Sequence, residues 1–91
     1  MELLFKDNII GYIKDIYTED YWVHGLFKKT DKFKNYSEFF KSIVCEDGFD
    51  ESKFDSELLD DDNWSVNDNG KVVGIYIPAI YEDGDISFRY R

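Results

Sequence analysis

The sequence predicts an α+β domain in which two or three helices pack on one face of a C-terminal three-stranded antiparallel meander. Three observations predict it. Apolar residues recur at helical spacing in N-terminal stretches, two turn dipeptides near the C-terminus agree on one pleated face, and an aromatic content of 19% supplies a core. The 91 residues fit a single domain, 1–91, with a helical region over about 4–60 and the meander over about 63–91.

The elements follow in order. Phe5, Ile9, Tyr12, Ile13 and Ile16 recur at helical spacing, which predicts a helix over about 4–17 with Gly11 as its weak point. The stretch "DYWVHGLFKKT" is short, aromatic and β-branched, so residues 21–27 fit either a further strand or an ordered loop. In "NYSEFFKSIVCEDG", Tyr36, Phe39, Phe40, Ile43 and Val44 mark the clearest helix. Asn35 and Glu38 have the spacing of a capping box there, and Gly48 fits the C-terminal stop. Phe54 and Leu58 predict a short helix over about 51–59, begun by Asp50.

The last 28 residues read as β-structure, punctuated by Asn69-Gly70 and Asp83-Gly84, both suited to two-residue hairpin loops. Folding about the first pairs Val66 with Val73 and Trp64 with Ile75. Folding about the second pairs Tyr81 with Ile86, Ala79 with Phe88 and Ile77 with Tyr90. All ten residues then share one face, leaving Ser65, Asn67, Ser87, Arg89 and Arg91 on the other. Pro78 is tolerable in the middle strand because the first strand ends opposite Ile75 or Tyr76, leaving one side of the middle strand unpaired there.

Composition excludes several classes. The single cysteine, Cys45, and the single histidine, His24, cannot assemble a structural zinc site, and Cys45 has acidic neighbours that disfavour a thiolate nucleophile. His24, among aromatic neighbours, reads as a structural histidine. Neither "DDDNWSVNDNG" nor "EDGDISF" has the ligand order of a calcium loop. No enzymatic chemistry, metal or cofactor is therefore expected. No apolar run approaches the roughly 18 residues of a membrane span, and the start lacks a signal-peptide pattern, so a soluble cytoplasmic protein is expected.

Charge is the most specific clue. Residues 46–62, "EDGFDESKFDSELLDDD", hold nine acids and one base, whereas the rest of the chain is nearly balanced and the whole carries a net charge of −9. Asp60, Asp61 and Asp62 end the expected short helix, where each opposes the macrodipole by roughly 0.3 to 1 kcal/mol at low salt, so they read as carboxylates that do not serve folding. A pI of about 4.4 disfavours direct binding of nucleic acid or anionic membranes and favours a basic protein partner. The expected partner-binding residues are Asp47, Asp50, Glu51, Asp55, Glu57, Asp60, Asp61 and Asp62, with Trp22 as an aromatic contact. Lys28, Lys29, Lys32 and Lys34 in "KKTDKFK" read as a solvated loop that makes the molecule electrically dipolar.

In its acid-rich "EDGFDESKFDSELLDDD" and its hairpin end "GKVVGIYIPAIYEDGDISFRYR", the chain resembles the immunity proteins of bacterial toxin systems, including those of contact-dependent growth inhibition. The resemblance is one of general character. It implies a monomer that forms a heterodimer with a cognate basic toxin, often a nuclease, and occludes it without catalysis. It also implies that reversing Asp60, Asp61 and Asp62 to Lys weakens binding while leaving the fold intact. The same electrostatics suit a phage-encoded DNA mimic of the anti-CRISPR or anti-restriction kind, and a plain protein-interaction module is the third reading.

Overall fold

A computed structural model describes residues 1–45, 48 and 51–91. Its strands are β1 (Glu2–Phe5), β2 (Asn8–Glu19), β3 (Trp22–Lys29), β4 (Trp64–Asp68), β5 (Lys71–Gly74), β6 (Ala79–Ile80) and β7 (Asp85–Phe88), and its one α-helix among the described residues is α1 (Ser37–Ile43). All strand pairs are antiparallel, in the order β5-β4-β1-β2-β3-β7-β6. The expected arrangement of two or three helices on a three-stranded meander is therefore overturned: the protein is a seven-stranded sheet with one short helix.

The two edges of that order, β5 and β6, are separated in the chain by only residues 75–78, so the sheet must curl until its edges meet. It does: Ile75 bridges to Tyr90, the Tyr76 N–H donates to Arg89 O at 2.9 Å, and the Arg91 N–H donates to Gly74 O at 3.2 Å. Residues 71–80 thus form one broken strand that pairs with β4 first and with β7 and its extension afterwards, closing the sheet into a barrel. Pro78 is buried in the break, where no ladder bond calls on its missing N–H.

The helix expected over 4–17 is instead β1, a two-residue turn in which Lys6 has φ 55°, and most of β2. Two irregularities made strands look helical. Leu3 pairs with Gly11 but Leu4 pairs with Ile9, so Ile10 is an extra residue. A second shift falls between Lys14 and Tyr17, where Asp15 has φ 53°. Each bulge changes which face successive side chains take, so the buried positions no longer alternate. The β-branched and aromatic residues Ile9, Ile10, Tyr12, Ile13 and Ile16 suit a pleated surface better than a helix. Thr30 completes the first bulge: its N–H donates to Ile10 O, and its hydroxyl lies 2.9 and 2.8 Å from the carbonyls of Ile9 and Ile10.

Of the segment left open at 21–27, Tyr21 lies in the turn after β2 and the rest belongs to β3. The helix expected from Tyr36 to Val44 forms as α1, preceded by a 3-10 helix over Asp31–Asn35, with Phe39 and Phe40 buried. The capping box does not form: Asn35 lies in the 3-10 helix, Tyr36 is the N-cap, and no side chain caps it. Gly48 has φ 97°, but α1 has already ended at Ile43. The short helix over 51–59 reduces to a 3-10 turn at Glu51–Lys53, and a second 3-10 turn spans Asp61–Asn63.

In the C-terminal hairpins, Asn69 and Gly70 both take positive φ (53° and 90°), and Val66 pairs with Val73 as the sequence implies. The second register is off by one. Only Gly84 of the Asp83-Gly84 pair has positive φ (98°), and the loop has three residues: Gly84 N–H donates to Tyr81 O at 3.0 Å and Tyr81 N–H to Asp85 O at 2.9 Å. Ile80 then pairs with Ile86, and Ala79 with Ser87 rather than Phe88. The slip turns Ile80 into the core and leaves Tyr81 exposed, so the ten residues do not share one face.

The core unites both ends of the chain. Leu3, Ile10, Val23, Trp64, Val66, Ile75, Ile86 and Phe88 line the barrel, and α1 closes it with Phe39 stacked on Trp64 at 6.0 Å and Phe40 edge-on to the same indole at 5.4 Å. No helix among the described residues is long and apolar enough to cross a membrane.

Candidate functional site

The acid-rich segment is fastened to the barrel through its apolar residues. Phe54 meets Phe39 edge-on at 5.3 Å, Leu58 and Leu59 are half-buried against the core, and the Trp64 indole N–H donates to Leu58 O at 2.9 Å. Asn63 Nδ2 donates to Glu57 O at 2.8 Å. With Phe54, Leu58 and Leu59 held inward, residues 51–62 display Glu51, Asp55, Glu57, Asp60 and Asp62 to solvent. Asp47 and Asp50 lie outside the described residues.

The carboxylates divide into two groups. Asp60 caps the second 3-10 turn by accepting the Asp62 N–H at 3.0 Å, Asp61 Oδ1 accepts the Ile77 N–H at 2.9 Å, and Asp62 Oδ1 accepts from Arg91 Nη1 at 2.9 Å. These three residues do serve the fold, which corrects the reading that their charges work against it. No helix ends at residue 59 for them to oppose. A triple reversal to Lys would strike the barrel's closure as well as any binding surface. Glu57 pairs with Lys6 at 2.7 Å across the surface. Glu51 and Asp55 are exposed and make no ion pair among the described residues.

Trp22 lies on the outer face of β3, 45% exposed. Across the ladder, Val23 pairs with Phe88, which sets Trp22 beside Arg89. The Arg89 guanidinium stands 5.7 Å from the Trp22 ring and 5.8 Å from the Tyr76 ring. Arg91, on the same outward parity as Arg89, reaches back: its Nε donates to Ile75 O at 2.9 Å and its Nη1 to Asp62. Trp22, Arg89, Tyr76, Arg91 and Asp62 therefore form one continuous outer surface at one end of the β3–β7 pair, joining residues forty apart in sequence.

The β2–β3 hairpin adds exposed Tyr17 and Tyr21 to this end. His24, the expected structural histidine, shares a 2.8 Å hydrogen bond between Nδ1 and Ser87 Oγ and stacks on Tyr17 at 5.0 Å, tying three strands together on the outer face. Cys45 is exposed and free, just past α1. Among the described residues no three His, Cys, Asp or Glu side chains gather as metal ligands would.

Neither a family model, nor a curated protein, nor a solved structure aligns with the chain significantly. The geometry of the described residues is an acidic segment over 51–62, packed on the barrel, adjoining an exposed Tyr/Trp/Arg patch. That residue mix is the one enriched where protein interfaces concentrate their binding energy. Sequence reasoning singled out Trp22 but missed Tyr76 and Arg89. The "FRYR" ending, with two arginines at alternate positions, is the signal that could have pointed to an outward basic row beside it.

Proposed function

We propose that the protein is a non-catalytic inhibitor of the immunity type, which covers the cationic surface of a basic, nucleic-acid-acting partner. The observation that carries this reading is the displayed acidic segment, anchored by Phe54, Leu58 and Leu59 and continuous with the Trp22–Arg89–Tyr76 patch. Carboxylates held at irregular spacing on a fixed surface stand where a basic groove would otherwise hold phosphates. The aromatic patch supplies the desolvated centre that charges alone lack. Concentrating the excess charge also steers encounter, raising association rates by about 10- to 1,000-fold.

Affinity capture from cells that encode the protein, at low and at physiological salt, tests the reading when each retained protein is assayed for nuclease activity. Recovery of a basic nuclease that is silent in the complex and active once stripped is the expected result. Recovery of a CRISPR or restriction component would move the function to DNA mimicry, and recovery of nothing at either salt would remove the reading's main support.

A further inference from the structure

At the opposite end of the β3–β7 pair, about 20 Å from Trp22 by strand rise, lies an open groove of about 1100 Å³. It runs between the end of β3, the 31–44 helical segment and the β6–β7 turn. Its floor is aromatic: Phe27 and Phe33 rings lie 5.3 Å apart, and Phe33 stacks on Phe40 at 5.6 Å with 10° between planes. Each of these phenylalanines is followed in sequence by a lysine, so Lys28, Lys34 and Lys41, with Lys29, line the same groove.

These four lysines make no ion pair or side-chain hydrogen bond among the described residues. The acids on the groove are Asp31 and Glu82. In a chain with 20 acidic and 11 basic residues, leaving four ammonium groups unpaired beside an apolar floor is a placement that composition disfavours.

We propose that this groove binds a small amphipathic carboxylate, its apolar body against Phe27 and Phe33, with Phe40 buried beneath Phe33, and its acid head among the lysines. The size is that of small-molecule sites, which are concave and mostly apolar with few polar groups. Lysine ammonium groups, compact and mobile, suit a single acid head. A nucleic acid or an acidic protein would extend beyond the groove and meet the net charge of −9, whereas a monoanion feels mainly the charges within a screening length of about 8 Å at physiological salt.

The probe is dodecanoate below its micelle concentration, titrated into the 15N-labelled protein, with dodecanol as the uncharged control. The expected result is saturable shifts centred on the Thr30 and Gly84 amides, with dodecanoate at least tenfold tighter than dodecanol. A K34E/K41E variant, altered only at exposed positions, should weaken dodecanoate by tenfold or more at an unchanged thermal midpoint. Equal binding of acid and alcohol, no saturable shift, or full affinity in the folded variant would overturn the proposal. So would tighter competition by a Glu-rich peptide bearing one Phe, which would make the occupant a protein segment. None of these results bears on the 51–62 acidic segment, no residue of which lines the groove.

Discussion

Replacing Asp61 by Ala separates carboxylates that hold the fold from those that are only displayed. Ile77 sits in the break of the 71–80 strand. Its neighbours Tyr76 and Ala79 pair with the β7 side, while its own N–H turns to Asp61 Oδ1 at 2.9 Å. Removing that oxygen leaves the donor without its acceptor beside buried Pro78. An unmet donor costs about 1–3 kcal/mol, and because Ile77 is only half-buried, water can replace part of the bond, which puts the expected loss at about 1–2 kcal/mol. Asp61→Asn keeps a carbonyl acceptor and should lose less than about 1 kcal/mol. Asp62→Ala breaks an ion pair whose carboxylate is 81% exposed, so its cost is discounted to about 0.2–1 kcal/mol. The pair E51K/D55K should stay within about 0.5 kcal/mol.

Urea unfolding followed by tryptophan fluorescence reads all four, because Trp64 is fully buried and bonded to Leu58 beside the segment. With a slope of about 1 kcal/mol per molar, Asp61→Ala should move the midpoint down by about 1–2 M. An Asp61→Ala midpoint within about 0.2 M of the parent, together with a shift above about 1 M for E51K/D55K, would refute the division.

Further outcomes follow from the same geometry. E51K/D55K should slow association with the captured partner by tenfold or more at low salt and lose most of that effect at high salt, measured by stopped-flow or surface plasmon resonance. Trp22→Ala should speed dissociation while leaving the salt dependence of association intact. Gly25→Ala should destabilise the barrel by about 1–3 kcal/mol, because a Cβ there would lie 2.8 Å from Ile13 Cγ2 and 2.9 Å from Lys14 O; thermal denaturation by circular dichroism measures it. Gly70→Ala, at φ 90° with open space around it, should lose only about 1 kcal/mol, purely from backbone strain.

Some of this was legible in the sequence, and the failures have physical causes. The α1 face and the Asn69-Gly70 register were legible because both are set by residues within a few positions of each other. The first 19 residues misled because the bulges at Ile10 and Asp15 shift side-chain parity, so that an apolar set made for strands fell at helical spacing. Asp83-Gly84 misled because the dipeptide serves a three-residue loop as well as a two-residue one, and only the backbone angle at Asp83 distinguishes them. The structural use of Asp60, Asp61 and Asp62 was hidden because two of their partners, Ile77 and Arg91, are brought close only by barrel closure. The lysine groove was hidden for the same reason, since its walls come from β3, the helical segment and the turn before β7.

Barrel closure also sets the order in which the chain can reach its final form. The β2–β3 and β4–β5 hairpins join near neighbours and can form early. By contrast, Leu3 waits for Val66, and Val23 waits for Phe88. Pairings of such separation must be reached through large loop-closure entropy before any contact rewards them, which places a domain of this kind among the slower folders, on the scale of milliseconds to seconds. During synthesis the outer edge of β3 therefore stays open until β7 has emerged. The strand that bears Trp22 at one end and Lys28 and Lys29 at the other gains its second neighbour only then. Both surfaces depend on that late pairing.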